Sequence, residues 1–189
     1  QELMESSEIR EAFPGQSFTA HPALDSDPDT RDPLAYRAAL EAMAPRQAVV
    51  VATPDQTHFD IVMDCLDHDQ HVLCVKPLVL THRESEQVCE KALKRGLLVG
   101  VEYHKRFDRR SLLARRHYRA GDFGEFAMGE ARMIEPYFYR ESNFQNWFTT
   151  DQTDPFVYVG CHYVDLVCFI TGLKPVAVSV SGIDGRFPN

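Results

Sequence analysis

The feature that most constrains this chain is an alternation of short apolar runs with helical patterns between residues 48 and 101. Ala48 to Thr53 is an almost continuous β-branched run, the pattern of a strand covered on both faces. His58 to Asp67 reads as a helix with Ile61, Val62 and Cys65 on its inner side. Val72 to Val75 is a second short buried strand. Thr81 then opens another helix, with Glu84 three residues later as a capping box. That helix stops at Gly96, and Lys94 and Arg95 sit at its negative end. Leu97 to Val101 is a third strand. Strands alternating with helices of this length predict right-handed βαβ units and a parallel sheet. The first two runs each end at polar residues accompanied by proline, Thr53-Pro54 and Lys76-Pro77. Ends of that kind are where open α/β sheets bind ligands.

Outside this stretch the pattern changes. Residues 2–13 read as the end of a helix stopped by Pro14-Gly15, and residues 16–32 as a loop with one short strand near Phe18. Pro33 opens a helix through Met43, with Leu34, Ala38 and Met43 toward the core. Beyond a boundary near Tyr103 the α/β alternation gives way to α+β. A helix over residues 108–120 ends at Gly121, a strand runs from Phe126 to Glu135, and a loop carries Trp147. His162 to Thr171 forms an apolar helix closed by Gly172, and Val176 to Val180 alternates like a sheet strand. The expected division is therefore residues 1–103 and 104–189.

Composition narrows the function classes. The net charge of −8 argues against nucleic-acid binding, which needs dense Lys and Arg to neutralise phosphates. The basic pairs Lys105-Arg106, Arg109-Arg110 and Arg115-Arg116 suit a solvated helix face. Five scattered cysteines without a Cys-x-x-Cys pair fit reduced thiols better than a disulfide framework. No apolar run reaches the ~18 residues of a membrane span. The acidic start Gln1-Glu2-Leu3-Met4-Glu5 lacks the basic and apolar regions of a signal peptide, so the expected compartment is the cytoplasm. His68 and His71 straddle a turn with no further ligand pair, and no metal site is expected. Gly-x-Ser-x-Gly, Gly-x-Gly-x-x-Gly and Gly-x-x-x-x-Gly-Lys are all absent.

Two residues invite chemistry. Pro77 biases Lys76 toward an extended backbone that holds the lysine outward at a strand end. There it can hydrogen-bond a hydroxyl or, if desolvated, move a proton; the other reading is an exposed lysine closing a strand. His162 begins an apolar helix, where the helix dipole favours the neutral imidazole. It can accept a proton, or it can simply cap the helix or satisfy a core hydrogen bond. Asp165, one turn on, can orient that ring or favour the positive helix end.

Together these segments resemble the glucose–fructose oxidoreductase/inositol dehydrogenase (Gfo/Idh/MocA) family. Ala52-Thr53-Pro54 with Thr57-His58 looks like its Ala-Thr-Pro…His strand end. His71-Val72-Leu73-Cys74-Val75-Lys76-Pro77 resembles its Lys-His-Val-Leu-x-Glu-Lys-Pro block. Lys105-Arg106-Phe107-Asp108 and Gly121-Asp122-Phe123-Gly124 resemble its Arg-Arg-Phe-Asp and Gly-x-Ile-Gly pair. Gly160-Cys161-His162 with Asp165 resembles its Gly-x-His-x-x-Asp helix start.

The resemblance implies an incomplete Rossmann-type parallel sheet followed by the beginning of an α+β substrate or oligomerisation domain. It also implies hydride transfer between NAD or NADP and a small sugar, polyol or related hydroxy compound. Lys76, His162 and Tyr158 would be catalytic; Thr53, Pro54, His58, Lys76 and Pro77 would line the cofactor; Arg106, Trp147 and Asp165 would lie on the substrate side. Neither nucleic acid nor membrane is an implied partner, whereas a homo-oligomer is.

Three departures stand against the family pattern. Val75 replaces its glutamate, and Tyr158 stands where an aspartate is common; a phenol, with an ordinary pKa of ~10, is a poorer base than a carboxylate. The glycine-rich turn that would hold the pyrophosphate is not in the sequence, which therefore looks like a fragment. From this follows an expectation of weak or no NAD(H) binding by these 189 residues, and a competing class, a non-catalytic binding or assembly module.

Overall fold

The computed structural model describes residues 6–23, 25–27, 29, 32–134 and 152–182. Two compact units are interleaved along the chain. The first comprises residues 1–52, 57–74 and 81–100; the second comprises 53–56, 75–80 and 101–189.

The first unit is built on strands β1 (Ala48–Val51), β2 (His71–Val75) and β3 (Val99–Glu102), in the order β1-β2-β3. β1 and β2 run parallel with Val50 opposite Leu73 and Val51 opposite Cys74. Helix α3 (His58–Asp67) links the first pair and α4 (His82–Arg95) the second, which is the βαβ arrangement expected. Thr81 and Glu84 form a complete capping box on α4, and Gly96 closes it at φ 63°, a left-handed conformation that glycine adopts without a Cβ clash. Val62, Cys65 and Leu66 of α3 pack inward with Val88 and Ala92 of α4, Val51, Val72 and Cys74 of the sheet, and Leu97. Lys91 and Arg95 reach from α4 to Asp67 and Asp69 at the end of α3.

Gln70 shows how this unit treats polar groups. It is fully buried, and its amide accepts from the Gln47 N–H and donates to the Ala44 and His68 carbonyls. His68 and His71 are likewise committed to backbone, to the Asp64 carbonyl and the Leu98 N–H respectively.

Several expectations are corrected here. Helix α1 covers only Ser7–Ala12, capped by Ser6, and α2 covers Tyr36–Ala42 rather than starting at Pro33. Leu40 is the buried residue of α2, while Leu34 is exposed and Ala38 faces outward. The helix begins three residues late because Asp32 turns the chain through the Leu34 N–H, so its inner face is rotated. The sheet is not covered on both faces either: the register partners Val50 and Leu73 are 66% and 43% exposed. A β-branched run reports strand propensity, not the presence of a second packing layer.

In the second unit, α5 (Arg109–Ala120) ends at Gly121 and α6 (Cys161–Thr171) at Gly172, both glycines left-handed. The two helices pack together, and with residues 123–131 they line an apolar groove that includes Tyr118, Phe126, Leu166 and Ile170. The strands expected at 126–135 and 176–180 do not form among the described residues. Residues 125–134 and 173–182 have no regular structure, and Met128, Ile134, Val176 and Val178 are exposed. Alternation supplies a face to bury, but a strand also needs a neighbour for its backbone hydrogen bonds.

Candidate active site

The chain leaving each strand end belongs to the second unit: residues 53–56 after β1, 75–80 after β2, and Val101 onward at the end of β3. The same unit holds a π-helical turn, Phe156–Gly160, which runs directly into α6. Asp154 starts the turn by accepting from the Val157 N–H. Gly160 is buried in it, and a Cβ there would lie 2.7 Å from the Phe156 ring. A side chain at position 160 would therefore have to displace the Phe156 ring.

Lys76 is half-buried. Its ammonium donates to the Tyr158 carbonyl at 2.5 Å and lies 3.8 Å from the centre of the Tyr158 ring. Burial lowers its pKa; Cys161, Asp55 and Glu102 oppose that, and Lys105 adds to it. Asp55 is itself buried and accepts from the Thr153 hydroxyl.

His162 is 3% exposed, and its Nδ1 makes no hydrogen bond among the described residues. Burial, and then the neighbouring His104, Lys76 and Lys105, push its pKa down to about 4, with Glu102 acting the other way. The imidazole is therefore neutral at pH 7. Its ring meets the edges of Tyr103 and His104, with centroids 6.1 and 4.6 Å away. Burial also raises the Cys161 thiol, so this cysteine is not activated; all five cysteines are free.

Arg106 and Asp165 are spent on each other. The guanidinium donates twice to the carboxylate, Nε to Oδ2 at 2.7 Å and Nη2 to Oδ1 at 2.5 Å. This bidentate pair ties the 104–107 turn to α6. Asp165 therefore does not orient His162.

Residues 3–103 match the oxidoreductase family with an NAD-binding Rossmann fold, GFO_IDH_MocA. The chain belongs to this family. Curated members similar to it include the D-glucoside 3-dehydrogenase of Escherichia coli K12, 26% identical over 145 residues, covering 74% of this chain and 40% of that protein. The scyllo-inositol 2-dehydrogenase (NAD(+)) of Bacillus subtilis is 27% identical over 146 residues, covering 71% and 38%. The chain thus spans about two-fifths of the length of the curated relatives it matches. Among solved structures, an inositol dehydrogenase homolog from Azotobacter vinelandii complexed with NAD+ is 32% identical, with TM-score 0.55 over 72% of this chain and 38% of that one. The myo-inositol 2-dehydrogenase of Lactobacillus plantarum, at 21% identity and TM-score 0.62 over 75% and 42%, shares the Rossmann-like fold.

Within that family pattern, the structure gathers Lys76, Pro77, Thr53, Pro54, Tyr158 and His162 into one unit. Pro77 is buried, Pro54 half-buried and Thr53 exposed. His58 opens α3 in the other unit and is fully buried. Trp147 lies outside the described residues. Asp55, Glu102 and His104, which lie in the same unit, belong to no motif in the sequence, although Asp55 directly follows the Thr53-Pro54 strand end. Among the described residues, no group of three or more His, Cys, Asp or Glu could hold a metal ion, and no helix is long and apolar enough to cross a membrane.

Proposed function

We propose that the protein is an NAD(P)-dependent dehydrogenase that oxidises a secondary hydroxyl of a sugar or polyol, with Lys76 and His162 acting on that hydroxyl. The observation that carries this reading is a neutral, buried imidazole with an unpartnered nitrogen, set in the same cluster as a desolvated ammonium. An orphaned buried nitrogen is costly unless a ligand completes it. This donor set fits a hydroxyl poised beside the nicotinamide end of the cofactor. When bound, the nicotinamide supplies the acceptor for the hydride that leaves the carbinol carbon. Lys76 then donates to the hydroxyl oxygen and stabilises the negative charge that develops there. His162 accepts the hydroxyl proton as the C=O bond forms, which a neutral imidazole does at neutral pH.

Tyr158 contributes its carbonyl to Lys76, fixing the direction of the ammonium. Arg106 and Asp165 act as a brace for α6 in this reading. The activities for which the glucoside and inositol dehydrogenase relatives are named support the substrate class. Five free thiols support a cytoplasmic setting, and the exposed apolar side chains of the second unit support assembly into a homo-oligomer.

The test uses protein expressed from its full coding sequence. NAD+ and NADP+ reduction is followed at 340 nm with myo-inositol, scyllo-inositol and methyl D-glucosides, alongside titration of NADH fluorescence. Turnover with a member of this panel is the expected result. NADH binding without turnover of any hydroxy compound supports a non-catalytic binding module instead, and absence of both sinks the dehydrogenase reading.

A further inference from the structure

Beside His162 stands a second histidine that the reaction as described does not use. His104 lies on the turn after β3, and its Nδ1 faces the Glu102 carboxylate at 3.2 Å. Its side chain is 58% exposed, whereas His162 is sealed from water, and the two rings are 4.6 Å apart at their centroids. A base that is sealed in must return each proton it collects, or it serves once. Imidazole carries two nitrogens and so can accept at one and release at the other.

We propose that His104, held by Glu102, is a positioning residue for proton release: it receives from His162 the proton that left the substrate hydroxyl and passes it to solvent. This inference rests on the dehydrogenase reading. The balance per turnover is one hydride to the nicotinamide, one C=O formed, and one proton moved from the hydroxyl to His162, then His104, then water.

The charges around the pair favour that direction. Two imidazolium ions in ring contact repel, so the pair holds one proton more readily than two. Lys76 and Lys105 also disfavour the cation on His162. Tyr103, packed on the same ring, carries no charge, its phenol being raised by burial. On α6, the Cys161 thiol is raised by burial and Asp165 is neutralised by Arg106. His104 has the Glu102 carboxylate and open solvent beside it instead. The tautomer of His162 is not pinned through Nδ1, since that atom makes no hydrogen bond among the described residues.

The test compares wild type with His104→Gln, Glu102→Gln and His104→Ala, all as protein from the full coding sequence. The titration of His162 is read by NMR with labelled histidine. Turnover is read with NAD+ and whichever polyol of the panel is oxidised fastest. His104→Gln should raise the His162 titration point by roughly one pH unit, and Glu102→Gln should lower it. The acid limb of kcat/KM should move in the same directions. His104→Ala should lose roughly tenfold in kcat near neutral pH and regain it with added imidazole, a response that lost packing does not give. Both the opposed shifts and the rescue are required. An unchanged His162 titration in His104→Gln, or no imidazole rescue in an active His104→Ala, overturns the relay and leaves the dehydrogenase reading standing. Absence of nicotinamide reduction by wild type, with the His162 and His104 titrations still linked, overturns the dehydrogenase reading and the relay with it.

Discussion

Gln70 and His162 are both buried polar side chains, and the two units treat them in opposite ways. In the first unit, Gln70 has its carbonyl oxygen and amide nitrogen bonded to three backbone groups. The buried Leu, Val, Ala and Cys side chains among the described residues also all lie in that unit. In the second unit, Asp55, Ser111 and His162 are buried, and His162 keeps a nitrogen unused. Burial with every bond made produces a scaffold. Burial with a bond withheld stores a capacity to bind, at a cost in stability that the well-packed unit does not incur.

The largest effect expected from this contrast is at the satisfied residue. Gln70→Ala leaves three backbone groups without their partner and should cost about 3 kcal/mol in chemical denaturation, while KM of folded protein stays near wild type. A loss under 1 kcal/mol would mean that water replaces the amide and that the contrast is weaker than drawn. Lys76→Ala should do the reverse, lowering turnover by about 100-fold or more with little change in unfolding midpoint. A near-native rate removes Lys76 from the mechanism.

The third prediction follows from the depressed value of His162. Its folded pKa of about 4 lies below the ordinary value near 6.5. As pH falls below 6.5 the unfolded chain takes up the proton first, so stability, full above that value, declines until pH reaches about 4. His162→Gln should lack this component and lose about 1 kcal/mol less than wild type between pH 7 and 5.5, measured by denaturation at both pH values. Parallel pH curves for the two proteins would show that His162 is protonated as easily folded as unfolded. The smallest effect belongs to Thr81→Ala, which removes one side of the α4 capping box and should cost about 0.5–1 kcal/mol without altering turnover.

Legibility in the sequence followed the same divide. The bounds that the sequence predicts for helix α3 match the structure, and the Thr81/Glu84 box and the glycines at 96, 121 and 172 mark real helix ends. Such signals are local: a cap needs only residues within one turn. The strands expected at 126–135 and 176–180 do not form among the described residues, because alternation marks a face to bury but supplies no neighbour for the backbone hydrogen bonds. Lys76 and His162 were legible as motif residues at a strand end and a helix start. The Glu102–His104 pair was not, because its meaning depends on His162, 58 positions beyond His104 in the chain and beside it in space. Arg106 and Asp165 show the same limit, since two residues expected to face substrate are joined to each other.

The interleaving of the two units bears on how such a protein can be altered by recombination. The chain passes from one unit to the other at residues 52/53, 56/57, 74/75, 80/81 and 100/101. A crossover near residue 103 would pair the strand ends of one parent with the π turn and α6 of another. Lys76 and the carbonyl that holds it would then come from different parents. Exchange of a contiguous half therefore recombines the proposed site, and chimaeras of this chain should keep their folded first unit far more often than the contact between Lys76 and the Tyr158 carbonyl.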